Sequence, residues 1–303
     1  MKKVFKRLIA TVLILAVLAA IVVTLLFTLV NGFRFMTFSS AKVDKAVSVF
    51  NSAYDGGNVK LIAHRGLSAE EYQNTAAAFK LAAADKDVWA IETDVWVTAD
   101  GKFICMHDAD SLKGVDDVRS VTLQQALQIP LEKNFADEEK FANEYFAPSF
   151  EEYLDICKSG NKIAMIEIKD RNMTESELDG ILSIVAQKGV EVNFGSFHFA
   201  KLKYIRLKDA NVGLHLFTLT GLPRDMAEAG ITSKDKMKAL IAQRINLSCY
   251  WPYLTKSLAK QFHDAGLAVG VWTVNDSKTA ACLVDEYGVN FVTTDKRKSA
   301  LFA

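Results

Sequence analysis

Nine short apolar runs recur along residues 60–295, and stretches with helical periodicity separate most of them. The runs are KLIAH (60–64), VWAIETD (88–94), KFICMHD (102–108), KIAMIEIK (162–169), VNFGSF (192–197), VGLHLFT (212–218), INLSCY (245–250), AVGVWTV (268–274) and NFVTTD (290–295). Helical patterns fall at 75–85, 149–157, 175–187, 199–209, 233–243, 255–266 and 277–288. Repeated βα units over about this length point to an α/β fold, a TIM-type (β/α)₈ barrel with a parallel sheet. Nine strands are one more than such a barrel needs. The link between the second and third, VWVTADG, is too short for a crossover helix. Those two are therefore joined without a helix, and one of the nine is expected to be peripheral. Residues 109–148 lack strand character and are expected to form a small lid-like excursion within a barrel spanning 58–303.

Ahead of the barrel, residues 8–30 contain no charge, proline or glycine. As a helix they would reach about 34 Å, enough for a hydrocarbon core of roughly 30 Å. A cleaved signal peptide would have a shorter apolar region and a small-x-small site, whereas NGFRFMTF follows here. One transmembrane anchor is therefore expected. A basic tail (1–7) with Lys2, Lys3, Lys6 and Arg7 precedes it, and a stalk (31–57) follows. Positive charge stays cytoplasmic, which puts the barrel on the extracytoplasmic side of the cell membrane. The formal net charge is zero and no basic patch is present, so no nucleic-acid partner is expected. Cys105, Cys157, Cys249 and Cys282 lack zinc-site spacing and are expected to be small buried hydrophobes.

Polar groups stand at the ends of the apolar runs: His64 and Arg65, Glu92 and Asp94, His107 and Asp108, Glu167 and Lys169, Ser196, Trp272 and Asn275, and Asp295. In a barrel, chemistry collects at the C-terminal ends of strands. Strand alternation puts Glu92 with Asp94, and Glu167 with Lys169, on common faces. Glu92, Asp94 and Glu167 form an all-oxygen set suited to Ca²⁺ or Mg²⁺, and three like charges together would be costly without an ion. His64 and His107 can serve as general base and general acid. Arg65 offers a bidentate fork and Lys169 a point charge for phosphate. Together they suit displacement at phosphorus.

In order, HRG, NT, ETD with TADG, HD, EIK, SF, WTVN and TD resemble the glycerophosphodiester phosphodiesterases over roughly residues 60–300. The resemblance implies a phosphodiesterase barrel that cuts glycerophosphodiesters to glycerol 3-phosphate and an alcohol. It implies His64 and His107 as the acid/base pair, Glu92, Asp94 and Glu167 as ligands of a divalent metal, and Arg65 and Lys169 near the phosphate. It also implies Trp272 as a wall of the glycerol pocket. One position departs: Tyr72-Gln73-Asn74-Thr75 stands where the family usually has Pro-Glu-Asn-Thr. Gln keeps the acceptor oxygen and loses the charge. Lysophospholipids and glycerol-phosphate polymers are the alternative substrates, and a non-catalytic binding protein is the rival reading from another class. His198, His215 and His263 read as structural or surface histidines, with His198 the one expected nearest the pocket. Lys201, Lys203, Arg206 and Lys208 read as a solvated helix face.

Overall fold

The computed structural model describes residues 59–302, except 220–225, 227–229 and 233–234. The expected tail, anchor and stalk lie outside the described residues, among which no helix is long and apolar enough to cross a membrane.

All nine apolar runs are strands: β1 (Lys60–Ala63), β2 (Val88–Val97), β3 (Phe103–Cys105), β4 (Ile163–Ile168), β5 (Val192–Ser196), β6 (Gly213–Thr218), β7 (Asn246–Tyr250), β8 (Val269–Trp272) and β9 (Phe291–Thr294). Eight close a parallel ring in the order β1-β2-β4-β5-β6-β7-β8-β9, and β9 pairs back to β1. The peripheral ninth is β3, which runs antiparallel to the last residues of β2, Val95 facing Cys105 and Val97 facing Phe103. Among the described residues, seven longer helices follow strands around the ring: α1 (Ala76–Ala84), α4 (Phe150–Ser159), α5 (Glu175–Lys188), α6 (Phe199–Lys208), α7 (Lys236–Gln243), α8 (Lys256–Asp264) and α9 (Ser277–Tyr287). Short α2 (Leu123–Ala126) and α3 (Phe135–Lys140) lie in the 109–148 excursion, and α10 (Lys298–Leu301) closes the chain.

The starts of these helices are written locally. The Thr75 and Ser149 hydroxyls accept from the amides of Ala78 and Glu152, and Thr174 forms a reciprocal capping box with Glu177. Period-two alternation then divides each strand. Ile91, Ile166, Phe194, Leu214, Leu247 and Val271 belong to the main apolar cluster with helix residues such as Phe79, Leu154, Leu202 and Phe262. Each such fully buried side chain contributes about 1.5–3 kcal/mol. The alternate positions, Glu92, Asp94, Glu167, His215 and Trp272 among them, are left to the barrel interior and its mouth.

Residues 109–148 form a cap with its own apolar cluster, in which Leu112, Val118, Leu131 and Phe141 pack on Ile104, Met106 and Tyr72. The Tyr72 ring stacks on Tyr145 at 4.9 Å, and its hydroxyl donates to the Glu132 carbonyl. Arg119 ties the cap to the barrel through Asp170 (2.6 Å) and Glu177 (2.9 Å).

Two expectations are corrected. Cys105, Cys157 and Cys249 are buried, but Cys282 is exposed. Ala280 and Leu283 turn the inner face of α9 to the core, which leaves position 282 on the outer side. The basic residues of α6 are not a uniformly solvated face either. Lys201 is buried and donates to the Met173 carbonyl, and the Arg206 guanidinium donates to the Gln243 and Arg244 carbonyls at the end of α7. Long basic side chains here close carbonyl groups that water would otherwise satisfy.

Candidate active site

The turn after β1 explains why an apolar strand ends in His-Arg-Gly. Arg65 sits at φ +56° and Gly66 at φ +84°. A Cβ at position 66 would lie 2.6 Å from the Ala78 backbone, so only glycine fits. This left-handed turn aims the Arg65 amide inward, where it donates to Glu92 Oε2 at 2.9 Å. The Arg65 side chain lies between Asp94 Oδ2, 3.2 Å from its Nε, and Gln73, whose side-chain oxygen accepts from Nη1. Asn74, itself at φ +52°, donates its amide to the Arg65 carbonyl and its Nδ2 to Asp94 Oδ2 at 2.9 Å. Thr93 fixes the Asn74 oxygen at 2.8 Å.

Glu92, Asp94 and Glu167 are all buried, and each presents a carboxylate oxygen within 4.8 Å of the others. Parallel register places Asp94 beside Glu167. Burial and the charges of Asp94 and Glu167 push the Glu92 carboxyl well above the ordinary carboxylate range. Burial, with Asp94 beside it, raises Glu167 to about 8. Burial would raise Asp94 too, but Arg65, Lys169 and His107 more than reverse this and hold it at about 2. Buried Asp94 Oδ1 and Glu167 Oε1 have no hydrogen-bond partner, although Lys169 Nζ stands 3.2 and 3.4 Å away. Three converging carboxylates with two bare oxygens fit a hard divalent cation, which Glu92, Asp94 and Glu167 would hold.

Each histidine faces a carboxylate through Nδ1. His64 Nδ1 lies 2.8 Å from Asp295 Oδ1, an oxygen that also accepts from Ser68, while Asn275 donates to Asp295 Oδ2. His107 Nδ1 lies 2.6 Å from Asp108, and its Nε2 is 3.0 Å from Lys169 Nζ. Each carboxylate accepts, so Nδ1 donates in both rings, and on His107 the Lys169 ammonium beside Nε2 leaves that nitrogen as the free base. Burial lowers the His107 pKa, Asp94 opposes this, and Arg65 and Lys169 lower it further.

His64, Arg65, Glu92, His107, Glu167 and Lys169 all line one cavity of about 210 Å³. Trp272 lines it as well, its indole N–H fixed on the Ser248 carbonyl at 3.0 Å and its ring 5.7 Å from Phe197. Asp94 lies just behind, at the joint between Arg65 and Lys169. The structure thus brings together every residue singled out for chemistry from the sequence. It adds Asn74, Asp108 and Asp295 as positioning partners, which stood at strand ends or within a motif but carried no spacing signal of their own. Of the three other histidines, His263 bonds to Asn290 (3.2 Å), and His198 precedes α6, its amide on Ser196. The one that lines the cavity is His215, not His198. A second cleft, which shares His107 with the first and is lined by Gln73, opens toward the cap between Asp108, Asp110, Glu132 and Asp137.

The glycerophosphoryl diester phosphodiesterase family model matches residues 64–298. YhdW of Bacillus subtilis (strain 168), whose name provisionally assigns it as a glycerophosphodiester phosphodiesterase, is 25% identical over 247 residues, 78% of this chain and 93% of its own. The structure of an Oleispira antarctica phosphodiesterase in complex with the product sn-glycerol-3-phosphate superposes with a TM-score of 0.66 at 18% identity, covering 78% of this chain and 92% of that one. A glycerophosphodiester phosphodiesterase from Parabacteroides distasonis ATCC 8503 gives 0.58 at 24% identity, covering 78% and 93%. These two likenesses show the shared fold. The family match spans both histidines, all three carboxylates and both cations, and the chain belongs to the glycerophosphoryl diester phosphodiesterase family.

Proposed function

We propose that this enzyme hydrolyses glycerophosphodiesters to glycerol 3-phosphate and an alcohol, with a divalent cation on Glu92, Asp94 and Glu167. The observation that carries the reading is the meeting of two carboxylate-backed imidazoles, a buried three-carboxylate cluster and two cationic side chains at one cavity. The related Oleispira fold, which holds sn-glycerol-3-phosphate as product, supports the same substrate class. When bound, the cation, Ca²⁺ or Mg²⁺, would supply charge neutralisation at the phosphate oxygens.

The chain's own groups do the rest. The guanidinium of Arg65 and the ammonium of Lys169 bind non-bridging phosphate oxygens. His107, neutral with Nε2 as acceptor, takes the proton from the attacking hydroxyl as that oxygen bonds to phosphorus. The bond from phosphorus to the alcohol breaks, and the departing alkoxide takes a proton from His64, whose imidazolium Asp295 stabilises. With the neighbouring glycerol hydroxyl as nucleophile, the product is a cyclic phosphate that water opens by the reverse proton transfers.

Residues 8–30 would anchor the enzyme in the cell membrane with the barrel outside, as the basic flank Lys2, Lys3, Lys6 and Arg7 supports. A second reading, lysophospholipids as substrates, is favoured by Leu219 and Tyr253. Both are half-exposed apolar groups just past the C-terminal ends of β6 and β7, on the rim of the site. The deciding experiment measures glycerol 3-phosphate release from glycerophosphocholine by the full chain in detergent, with Ca²⁺, Mg²⁺ or EDTA. Metal-dependent release, abolished in His64→Ala and His107→Ala, is expected. Release only from long-chain lysolipids would select the second reading. No release from any diester by folded protein would overturn both and favour a binding protein.

A further inference from the structure

The interior of a (β/α)₈ barrel is ordinarily filled by layers of bulky side chains. Here one layer below the carboxylates is thinned. Its inward positions include Gly195 on β5, Ser248 on β7 and Gly270 on β8, the last two being register neighbours. Gly195 is spoken for, since a Cβ there would lie 2.3 Å from the Phe217 ring. Ser248 and Gly270 line the cavity with little side chain, a Cβ at Gly270 just touching Phe291 at 3.4 Å, and the cavity descends past Trp272 and Phe217 to Ile62, Met165 and Phe291.

One ring nitrogen faces that largely apolar lower half beside the small residues, that of His215, with Thr293 the other polar group lining it there and Asn246 the register neighbour of His215. His215 is 1% exposed and packs edge-on to Phe291 at 5.2 Å. It lines the cavity, yet its buried Nε2 has no hydrogen-bond partner in the protein. Burial lowers its pKa to about 3, so the ring is neutral throughout the working range and has no part in proton transfer. Buried polar atoms are almost always partnered, and a single unmatched one inside an apolar pocket is a recognition point.

We propose that His215 Nε2 hydrogen-bonds the glycerol hydroxyl farthest from phosphorus, selecting substrates in which that hydroxyl is free. This rests on the glycerophosphodiester reading above. Phosphate is held at the mouth by Arg65 and Lys169, so the three-carbon half points down the cavity and its far end meets the imidazole. His215 is thus a specificity residue. A site built to hydrogen-bond a hydroxyl rejects the analogue lacking it far more strongly than an apolar pocket rejects an added group.

The test compares glycerophosphocholine with 1,2-propanediol phosphocholine, which keeps the neighbouring hydroxyl and lacks the terminal one. Wild type should prefer the former by about 10- to 100-fold in kcat/KM. In His215→Leu that ratio should collapse to within about twofold of one, chiefly through KM, and His215→Gln should restore part of it. Calorimetric binding of sn-glycerol 3-phosphate against 1,2-propanediol phosphate, with Mg²⁺ or Ca²⁺ present, reads the same discrimination without turnover. Thermal melting checks that each variant is folded. A ratio unchanged in His215→Leu, or equal binding of both phosphates to wild type, would overturn the proposal and leave His215 holding only an ordered water. Discrimination in binding without hydrolysis of either diester would instead overturn the enzymatic reading while keeping the role of His215.

Discussion

Lys169 Nζ lies 3.0 Å from His107 Nε2, so the ammonium donates to a neutral imidazole. Burial alone would lower the Lys169 pKa, but Asp94 and Glu167 outweigh it and raise it. The proton between the two bases therefore stays on lysine, and burial with two nearby cations keeps His107 unprotonated. In Lys169→Met one of those cations is gone, and the His107 titration should move upward. Two-dimensional NMR of the imidazole resonances reads this directly, and the acid limb of the pH–rate profile should move the same way. The kcat/KM should fall by about 10²–10³-fold from the lost phosphate contact. A titration that stays in place would mean that burial alone sets the His107 proton affinity.

Asp295 orients the other imidazole. Burial would raise its carboxyl, but His64, Ser68 and Asn275 hold it at about 2. Asp295→Asn should lower kcat by about 10- to 100-fold with KM little changed, because the amide no longer fixes the His64 tautomer or stabilises its charge. The same shift makes a stability prediction. A depressed folded-state pKa contributes stability that is complete above the unfolded value and is lost as pH falls toward 2. At neutral pH this is worth at most about 2 kcal/mol. Wild type should therefore exceed Asp295→Asn in denaturant midpoint at pH 7, and the gap should close between about pH 4 and 2. A gap constant with pH would show the carboxylate to be unlinked to folding.

The carboxylate cluster predicts proton release on metal binding. Glu167, raised to about 8, carries a proton at pH 7 without a cation, and burial with Asp94 and Glu167 beside it pushes Glu92 in the same direction. A hard cation takes the ionised form. Titrating Ca²⁺ or Mg²⁺ by calorimetry in buffers of different ionisation enthalpy should show about one proton or more released at pH 7, and fewer at pH 9. Affinity should weaken as pH falls below 8. Heats that do not depend on the buffer would mean that the three carboxylates are already ionised together.

Most of this architecture is legible in the chain because two periodicities write it. Each strand from KLIAH to NFVTTD alternates, so burying Ile91, Thr93 and Val95 forces Glu92 and Asp94 to the opposite face. Helix caps such as Thr75, Ser149 and Thr174 are equally local. Short VWVTADG likewise joins the second and third runs without a helix, while which of the nine lies outside the ring, β3, is settled only by its antiparallel pairing to β2. What local reasoning misses depends on distance in space. His64 and Asp295 are 231 residues apart, and nothing near either announces the other. His215 reads as one more histidine in an apolar run until Ser248 and Gly270, on neighbouring strands, open the space in front of it. Lys201 reads as solvated because its neighbours are charged, while its partner is a carbonyl 28 residues away.

Gln73 can now be placed. Its side-chain oxygen accepts from Arg65 Nη1, and among the carboxylates its link to Asp94 runs through that arginine. An amide oxygen suffices for this contact, so the position orients the guanidinium without cancelling its charge. Gln73→Glu would keep the hydrogen bond and add a carboxylate beside Arg65, competing with phosphate for the fork. It should raise KM by about 3- to 10-fold, leave kcat within about 3-fold, and change Ca²⁺ or Mg²⁺ affinity little, since residue 73 is not one of the three cluster carboxylates. Gln73→Ala, which frees the guanidinium, should cost about 10²-fold in kcat/KM. Steady-state kinetics and metal titration on the two variants separate orientation from charge. If Gln73→Glu instead tightened metal binding tenfold or more and raised kcat, the glutamate charge would be serving the cation, and the glutamine here would mark a weakened metal site.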